Sequence, residues 1–446
     1  MRRPARALGS CLALTLLAPA GLLRADPSPA AERSKRVEAV RRIPGLVAFW
    51  DFVLCEAEGP HRFLAHTAGD VPAFPLDATN YVRTYWGEGR EATNADFPRL
   101  GRGPFGEAVR FVEEESPDFR PTLLVPRAAL HDTGLDVKGP GASVSMAVWM
   151  VRHGGNHAIA GIWHEGTDLE HRSRPAAKVQ TGRRQYALFA GLAANDGASA
   201  VHVSENGRSS FGDRYARNLA ATRRLIPTSA PDAPDAVMDA AWSVVGFVFD
   251  NERNTATAFL DGEAEDHWIE DPASHPFFQW PAKGWLQAQL RRLPGLQAGE
   301  EPDFPADQLY EPPETEPRKR TRVSATSRER VFDDTYAFTR VRVTQRRDAD
   351  GRWQPASREL RALRVNPFWF PHDLYDPGTA EGGGPFTVGR VIHSSRGNGT
   401  RQTIGGVAVF GRALSAREMR RLAAIGRVGG QPLGAFRLLH AADPDH

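Results

Sequence analysis

The chain has 446 residues, with 56 Lys and Arg against 54 Asp and Glu, and two cysteines. Four of the arginines fall in the first 25 residues, which hold no acid, so the rest of the chain is slightly acidic. This balance argues against a nucleic-acid partner, and the single cysteine after residue 25 cannot form an internal disulfide.

The first 25 residues resemble an export signal. Arg2, Arg3 and Arg6 precede an apolar stretch from Ala7 to Leu17, and small residues follow it. That stretch is too short to span a bilayer permanently, and no later stretch reaches about 18 apolar residues. We therefore expect an exported protein, periplasmic, cell-surface or extracellular, that is not an integral membrane protein.

Residues 26–44 read as a leader with a short helix from Glu32 to Arg42. Pro44-Gly45 ends this helix, and Leu46 to Phe52 is a buried strand between turn residues. This strand opens a domain that we expect to occupy residues 45–426, with a tail over 427–446.

Up to about residue 270, short β-branched and aromatic runs alternate with clusters of Gly, Pro, Asn and Asp. No long helical periodicity intervenes, which favours an antiparallel two-sheet β-sandwich over a parallel α/β fold. The clearest strands are Gly106–Val112, Ala142–Val151, His157–Trp163, Gln185–Leu192, Ala200–Ser204, Trp242–Phe249 and Thr255–Leu260.

Residues 270–383 read as an insertion. Prolines and glutamates between 294 and 317 indicate an exposed loop, and Arg318-Lys319-Arg320 reads as a solvated counter-charge to those glutamates rather than a polyanion site. Val331 to Arg346 and Trp353 to Leu363, separated by an Asp-Gly turn, predict a projecting hairpin.

The end of the domain is the most distinctive part of the sequence. Phe386 to Arg390 and Thr403 to Phe410 predict strands, and a helix should run from Ser415 to about Ile425. Ser415 and Glu418 have the spacing of a capping box, in which each side chain satisfies the backbone N–H of the other.

Four of these segments, in order, resemble the laminin-G-like branch of the concanavalin A-like lectin and glucanase superfamily. They are Gly45–Phe52, Ser143–Val151, the hairpin Trp242–Gly262, and Ile404–Met419. The resemblance implies a jelly roll and, for function, an exported binding or adhesion module without catalysis of its own. Its ligand would be a polysaccharide or a surface protein. Gly406 departs from the family, which usually has an acid there.

The superfamily also contains glucanases, and they suggest an alternative function. Glu165, Asp168 and Glu170 follow a predicted strand, as do the paired carboxylates of those hydrolases. Their spacing is E-x-x-D-x-E, so Glu165 and Asp168 would face opposite sides of a regular strand. A bulge at Gly166 would be needed for catalysis, and a polar loop is the simpler interpretation.

Glycan binding generally needs aromatic platforms beside polar side chains. Tyr85-Trp86 and Phe368 to Phe370 are aromatic pairs or runs of this type, although the second also reads as an anchor for the insertion. The predicted ligand-binding residues are Trp163, His164, Trp369, His372, Asp373, His393, Arg396 and Asn398.

Two kinds of metal site are conceivable. Calcium would use oxygen donors of Asp250, Asn251, Asp261 and Asp266, although turn formation already explains the first three. A transition metal would use histidines close in sequence to Glu165 and Asp168, although scattered surface histidines are the simpler interpretation. Those histidines are His153, His157, His164 and His171.

Overall fold

The computed structural model describes residues 29–426 except 70, 72, 112–115, 166–182, 192–196, 208–218, 293–307, 394–395 and 397–398. The predicted signal peptide, the C-terminal tail, His171, Asp168, Glu170 and Asn398 therefore lie outside the described residues. Among the described helices, none has the length and apolarity that crossing a membrane requires.

The fold is all-β and antiparallel, as predicted, with two large sheets and a smaller third one. In spatial order the first sheet contains β1 (Leu46–Trp50), β20 (Arg401–Phe410), β6 (Val144–Gly154), β11 (Ser243–Asp250), β12 (Thr255–Leu260) and β18 (Phe368–Trp369), with β4 (Val109–Phe111) also pairing with β20. The second contains β10 (Leu219–Leu225), β9 (Ala198–Val203), β8 (Arg183–Ala190), β7 (Ala158–His164), β19 (Phe386–Val388), β5 (Pro121–Val125), β3 (Ala73–Asn80) and β2 (Phe63–Ala65).

The two large sheets enclose the main core. Trp50 of β1 stacks on Phe386 of β19 with ring centroids 5.3 Å apart, and Tyr186 of β8 contacts Phe247 of β11 across the same interface. All four rings are fully buried. Burying aromatic rings of this size supplies much of the apolar area that stabilises a sandwich.

The region that contains the predicted hairpin forms a larger unit than a hairpin. It forms a five-stranded sheet in the order β13 (His267–Glu270), β17 (Trp353–Asn366), β16 (Thr339–Arg347), β15 (Glu329–Thr335) and β14 (Lys319–Ala325). The alternating run from Val331 to Arg346 is two strands that turn at Tyr336. The basic run enters β14, where Arg320 pairs with Asp334 of β15 at 2.6 Å rather than with the glutamates.

Among the described residues, six α-helices accompany the sheets: α1 (Pro29–Arg41), α2 (Tyr81–Trp86), α3 (Arg127–Leu130), α4 (Asp235–Ala240), α5 (Gln279–Arg292) and α6 (Ala416–Ile425). The capping box of α6 is confirmed, since the Glu418 N–H donates to Ser415 Oγ and the Ser415 N–H donates to the Glu418 carboxylate. Helix α5 is missing from the predictions, because its sequence lacks a clear amphipathic stripe.

Close packing on the outer face of the first sheet explains why residue 406 is a glycine and not an acid. A Cβ atom at Gly406 would lie 2.9 Å from the Phe105 ring and 3.1 Å from the Trp149 ring. Both rings are buried under α6 and its neighbours. An acidic side chain has no room here, so whatever role it has in the family is not available to this chain.

Candidate functional site

Three side chains that are distant in sequence meet beside β7. His157 immediately precedes the strand, Glu165 immediately follows it, and His393 lies in the loop after β19. One Glu165 carboxylate oxygen is 3.3 Å from His393 Nε2, and the other is 3.9 Å from His157 Nε2. The two imidazole rings are 4.8 Å apart, edge to face. We call these residues the His–Glu cluster.

Irregular pairing of β7 with β8 accompanies this meeting. Eight residues of regular strand would separate His157 from Glu165 by about 26 Å. The pairing of β7 with β8 is irregular between Ala158 and Ala160 and again between Ile162 and Trp163, and such irregularities bend a strand. The Glu165 N–H also donates to the Ile392 carbonyl at 2.9 Å, which ties the loop bearing His393 to the end of the strand.

Burial and charge set the protonation of the cluster. The Glu165 side chain is 8% exposed. Burial alone would raise the pKa of its carboxyl, but attraction to His393 and Arg184 lowers that pKa below its ordinary value. Burial lowers the pKa of His157 to about 4. At neutral pH the cluster therefore holds a carboxylate beside a neutral His157 imidazole, with the lone pairs that a cation would use.

Two predicted ligand-binding residues are buried instead. Trp163 is fully buried and packs edge to face on Phe189, with ring centroids 5.7 Å apart, so it is not a surface platform. His164 points to the other side of the strand and contacts Tyr85 at 4.9 Å. Burial lowers its pKa to about 3. Both side chains are buried because β7 is an interior strand of the second sheet and all of its residues are buried.

The other histidine near this strand also lies elsewhere. His153 contacts the Ser229 carbonyl and Thr403 Oγ1, each at 2.8 Å. Arg396 is close to the cluster in sequence, but it pairs with Glu88 at 2.7 Å and lies over the Trp86 ring. Its guanidinium group therefore contacts other residues of the protein and is not directed at a ligand.

A second site is an aromatic pocket where the insertion meets the sandwich. Its cavity volume is about 40 Å³. It contains the predicted residues Trp369 and His372. We define the aromatic pocket by its lining residues: Glu205, Trp280, Pro281, Gln308, Leu309, Tyr310, Phe368, Trp369, Phe370, Pro371 and His372.

The rings of this pocket stand at an angle to one another. Tyr310 and Trp369 are 5.4 Å apart with an interplanar angle of 86°, so they form two walls of a corner. Gln308 donates to the Glu205 carboxylate at 3.1 Å, which orients both polar groups. The Tyr310 residue is only 6% exposed, and within the described part of the chain its hydroxyl makes no well-formed hydrogen bond.

Asp373 is adjacent in sequence but has a structural role. Its carboxylate accepts from the Asn251 side chain at 3.0 Å and from the Gly141 N–H at 3.2 Å. These bonds fasten the turn between β11 and β12 to the neighbouring loops. Asp373 therefore supports the first sheet and does not line the aromatic pocket.

The proposed calcium ligands do not form one site. Asp250 and Asn251 lie at the turn of the β11–β12 hairpin, whereas Asp261 and Asp266 follow its open end. Six residues of strand place these ends about 20 Å apart. Asp261 accepts the Val244 N–H and Asp266 pairs with an arginine of β17. The turn interpretation explains these donors, and a shared calcium ion does not.

Another acidic group, Asp136, lines a separate open cleft. Asp136 is buried, and its carboxylate accepts from Arg127 at 2.6 Å and lies 3.0 Å from Lys138 Nζ. His131 is 3.6 Å away. The two permanent cations lower the pKa of Asp136 despite its burial. They also neutralise the group, so it is poorly suited to a further cation.

Sequence reasoning missed the aromatic pocket residues Trp280 and Tyr310, and it did not associate His393 with Glu165. Trp280 belongs to the unpredicted helix α5, and Tyr310 follows a proline-rich stretch that reads as loop. His393 is more than two hundred residues from its partners. No local spacing can report such a meeting, because only the pairing of β7 with β19 produces it.

No protein-family model and no curated protein matches the sequence. Solved structures do match. They include the binding domain of botulinum neurotoxin serotype G, at 7% identity and a TM-score of 0.34, over 85% of this chain and 51% of that one. The binding domain of Paraclostridial mosquitocidal protein 1 has 7% identity and a TM-score of 0.31, over 85% and 51%.

A Trypanosoma rangeli sialidase matches at 10% identity and a TM-score of 0.30, over 89% of this chain and 38% of that one. The chain thus spans about half the length of the neurotoxin and mosquitocidal domains, and less of the sialidase. Likeness at this level assigns neither an activity nor a ligand to this chain.

Proposed function

We propose that this protein is a carbohydrate-binding module, exported from the cytoplasm, that holds a sugar in the aromatic pocket. One observation carries the proposal: Trp280, Tyr310 and Trp369 line the same pocket as the polar side chains of Glu205 and Gln308. The basic and apolar first 25 residues support export.

The chemistry of the pocket suits a sugar. Pyranose C–H faces pack on aromatic rings, while hydroxyl groups need paired donors and acceptors at the ring edge. The two-walled corner of Tyr310 and Trp369 supplies the apolar surface. Glu205 supplies acceptors, and Gln308 supplies both kinds of group.

We also propose that the chain belongs to the family that its sequence motifs resemble. The strand order, the β11–β12 hairpin and the capped α6 support membership of the laminin-G-like, concanavalin A-like sandwiches. The aromatic pocket, however, lies at the joint with the insertion, and it is lined by β18 of the sandwich and by α5. The insertion would then shape the binding specificity of this chain.

No specific observation favours the alternative of a hydrolase built on Glu165. Its carboxylate contacts two histidines. The proposed second carboxylates, Asp168 and Glu170, lie outside the described residues. A retaining glycosidase needs a second carboxyl group about 5 Å from the first, one of them with a raised pKa.

The proposal is tested by screening the protein on a glycan array, with and without calcium, and measuring hits by calorimetry. Trp369→Ala and Trp280→Ala should each weaken binding at least tenfold. Trp353→Ala is the matched control, because that ring lies under Arg330 and Arg347 in the third sheet. No hit in either condition, or unchanged binding in both pocket variants, would overturn the proposal.

A further inference from the structure

We propose that the His–Glu cluster is a binding site for a divalent transition-metal ion of the Zn²⁺ or Fe²⁺ class. Its members are His157, Glu165 and His393. This inference is independent of the aromatic pocket, because the two sites share no residue.

The geometry of the cluster is close to that of a metal centre. One ligand atom from each of the three residues lies within 4.8 Å of the others. Metal–ligand bonds of about 2.0–2.1 Å place neighbouring ligand atoms about 3–3.4 Å apart. The Glu165–His393 distance of 3.3 Å already lies in this range. The His157–Glu165 distance of 3.9 Å is slightly longer, and a small side-chain rotation would close the difference.

Hydrogen bonds do not link all three residues of the cluster, although His393 Nε2 and the Glu165 carboxylate are within hydrogen-bonding distance of each other. At 3.9 Å the His157–Glu165 contact is too long for a hydrogen bond. Within the described part of the chain, the recorded contacts of the His157 ring are Glu165, His393 and Phe189. Arg184, a nearby cation, donates to the Glu165 backbone carbonyl oxygen at 3.3 Å.

The backbone holds His157 in an unusual conformation. Its φ of +107° is strained for a residue with a side chain. Three hydrogen bonds maintain it: the His157 N–H donates to Gly191, and the His157 carbonyl accepts from the Ala190 N–H and from Thr400 Oγ1. Strain that the surrounding structure maintains in this way is typical of functional sites, where it sets the direction of a ligand.

The donor set selects the class of ion. Two imidazoles and one carboxylate suit Zn²⁺, Fe²⁺ and their neighbours, whereas calcium takes oxygen ligands. The two histidine side chains are 20% and 21% exposed, so an ion can enter. Three protein ligands leave at least one coordination position for water or a substrate group. By contrast, Arg127 and Lys138 already neutralise the carboxylate of Asp136.

To test this proposal, the full chain is treated with a chelator, loaded with Zn²⁺ or Co²⁺, and dialysed to remove free ion. Bound metal is then measured by elemental analysis and, for Co²⁺, by visible absorption. We expect about one equivalent of metal in the wild type. His157→Ala, His393→Ala and Glu165→Gln should each weaken binding at least tenfold. His131→Ala, at the Asp136 group, is the matched control and should bind as the wild type does.

Circular dichroism and a melting curve for each variant separate loss of metal from loss of fold. His393→Ala is the decisive variant, since His393 lies in a loop outside the strands. A folded wild type that retains no ion after dialysis overturns the proposal. Unchanged metal content in folded His393→Ala, or loss of metal in His131→Ala alone, also overturns it.

Discussion

Asn366 acts as a strand partner for Ala258. Its side-chain oxygen accepts the Ala258 N–H at 2.8 Å, and its side-chain nitrogen donates to the Ala258 carbonyl at 3.0 Å. The same nitrogen also donates to the Glu265 carbonyl. Asn366 is fully buried at the end of β17, so this side chain joins the third sheet to the sandwich.

We expect Asn366→Ala to lower the free energy of unfolding by about 2–4 kcal/mol, because it leaves buried backbone groups of Ala258 unpaired. Chemical denaturation monitored by fluorescence measures this change. Gln354→Ala is the control on the same strand, where the side chain is exposed, and it should change stability by less than about 0.5 kcal/mol. Equal effects of the two substitutions would show that the contact between the third sheet and the sandwich does not depend on Asn366.

The capping box of α6 predicts a pH dependence. Hydrogen bonds and the charge of Arg412 lower the pKa of Glu418 to about 2, from an ordinary value of 4.5. A lowered folded-state pKa stabilises the protein above pH 4.5, and the benefit is lost as the pH falls towards 2. Glu418→Gln should therefore cost about 1 kcal/mol at pH 7 and progressively less below pH 4.5.

Denaturation of wild type and Glu418→Gln between pH 2.5 and pH 7 checks this dependence. Glu38→Gln is the control, because it removes only exposed ion pairs within α1 and should cost less than about 0.5 kcal/mol. A difference between wild type and Glu418→Gln that stays constant over the whole range would contradict the assignment.

Tyr310→Phe separates stability from binding. The Tyr310 hydroxyl is buried without a well-formed hydrogen bond among the described residues, so its removal should leave the melting temperature unchanged or slightly higher. If a sugar hydroxyl pairs with this group, affinity for the glycan found on the array should fall about five- to tenfold. A lower melting temperature with unchanged affinity would show that the hydroxyl serves the fold instead.

Gly161 permits the close approach of β7 and β8. Its φ is +146°, and a Cβ atom there would lie 2.6 Å from the Ala187 Cα. Gly161→Ala should therefore destabilise the protein by more than about 3 kcal/mol, since both strain and overlap oppose it. Gly87→Ala is a control with a φ of +74° and open space around it, and it should cost only about 1 kcal/mol.

Thermal and chemical unfolding of the two glycine variants tests this order. If Gly87→Ala proves as harmful as Gly161→Ala, the close packing of β7 on β8 is not what position 161 requires. Because Gly161 lies in β7, between His157 and Glu165, folded Gly161→Ala should in addition show weakened metal binding.

Much of the fold could be predicted from the sequence. The strands β1, β6, β11 and β12 and the capped α6 were expected within a few residues, because apolar alternation and turn residues are local signals. The short strands β2, β3 and β5 and the helices α2 and α5 were missed. Their residues gain stability from tertiary packing rather than from a regular local pattern.

The candidate sites were less accessible to sequence reasoning. Glu165, Trp369 and His372 were identified as residues of interest, but Trp163 and His164 proved to be buried in an interior strand. Aromatic composition cannot distinguish a core ring from a ligand platform, because both need the same apolar surface. The four proposed calcium ligands lie in two pairs at opposite ends of the β11–β12 hairpin, a separation that their closeness in sequence does not reveal.

The sequence by itself determined that alternating apolar residues would pair into antiparallel sheets and that Ser415 would cap the last helix. Only the tertiary structure decided which distant side chains meet. His157 and Glu165 meet at the two ends of β7, and the pairing of β7 with β19 adds His393. Local patterns encode which face of a strand is apolar, whereas strand order and curvature arise from the packing of the whole chain.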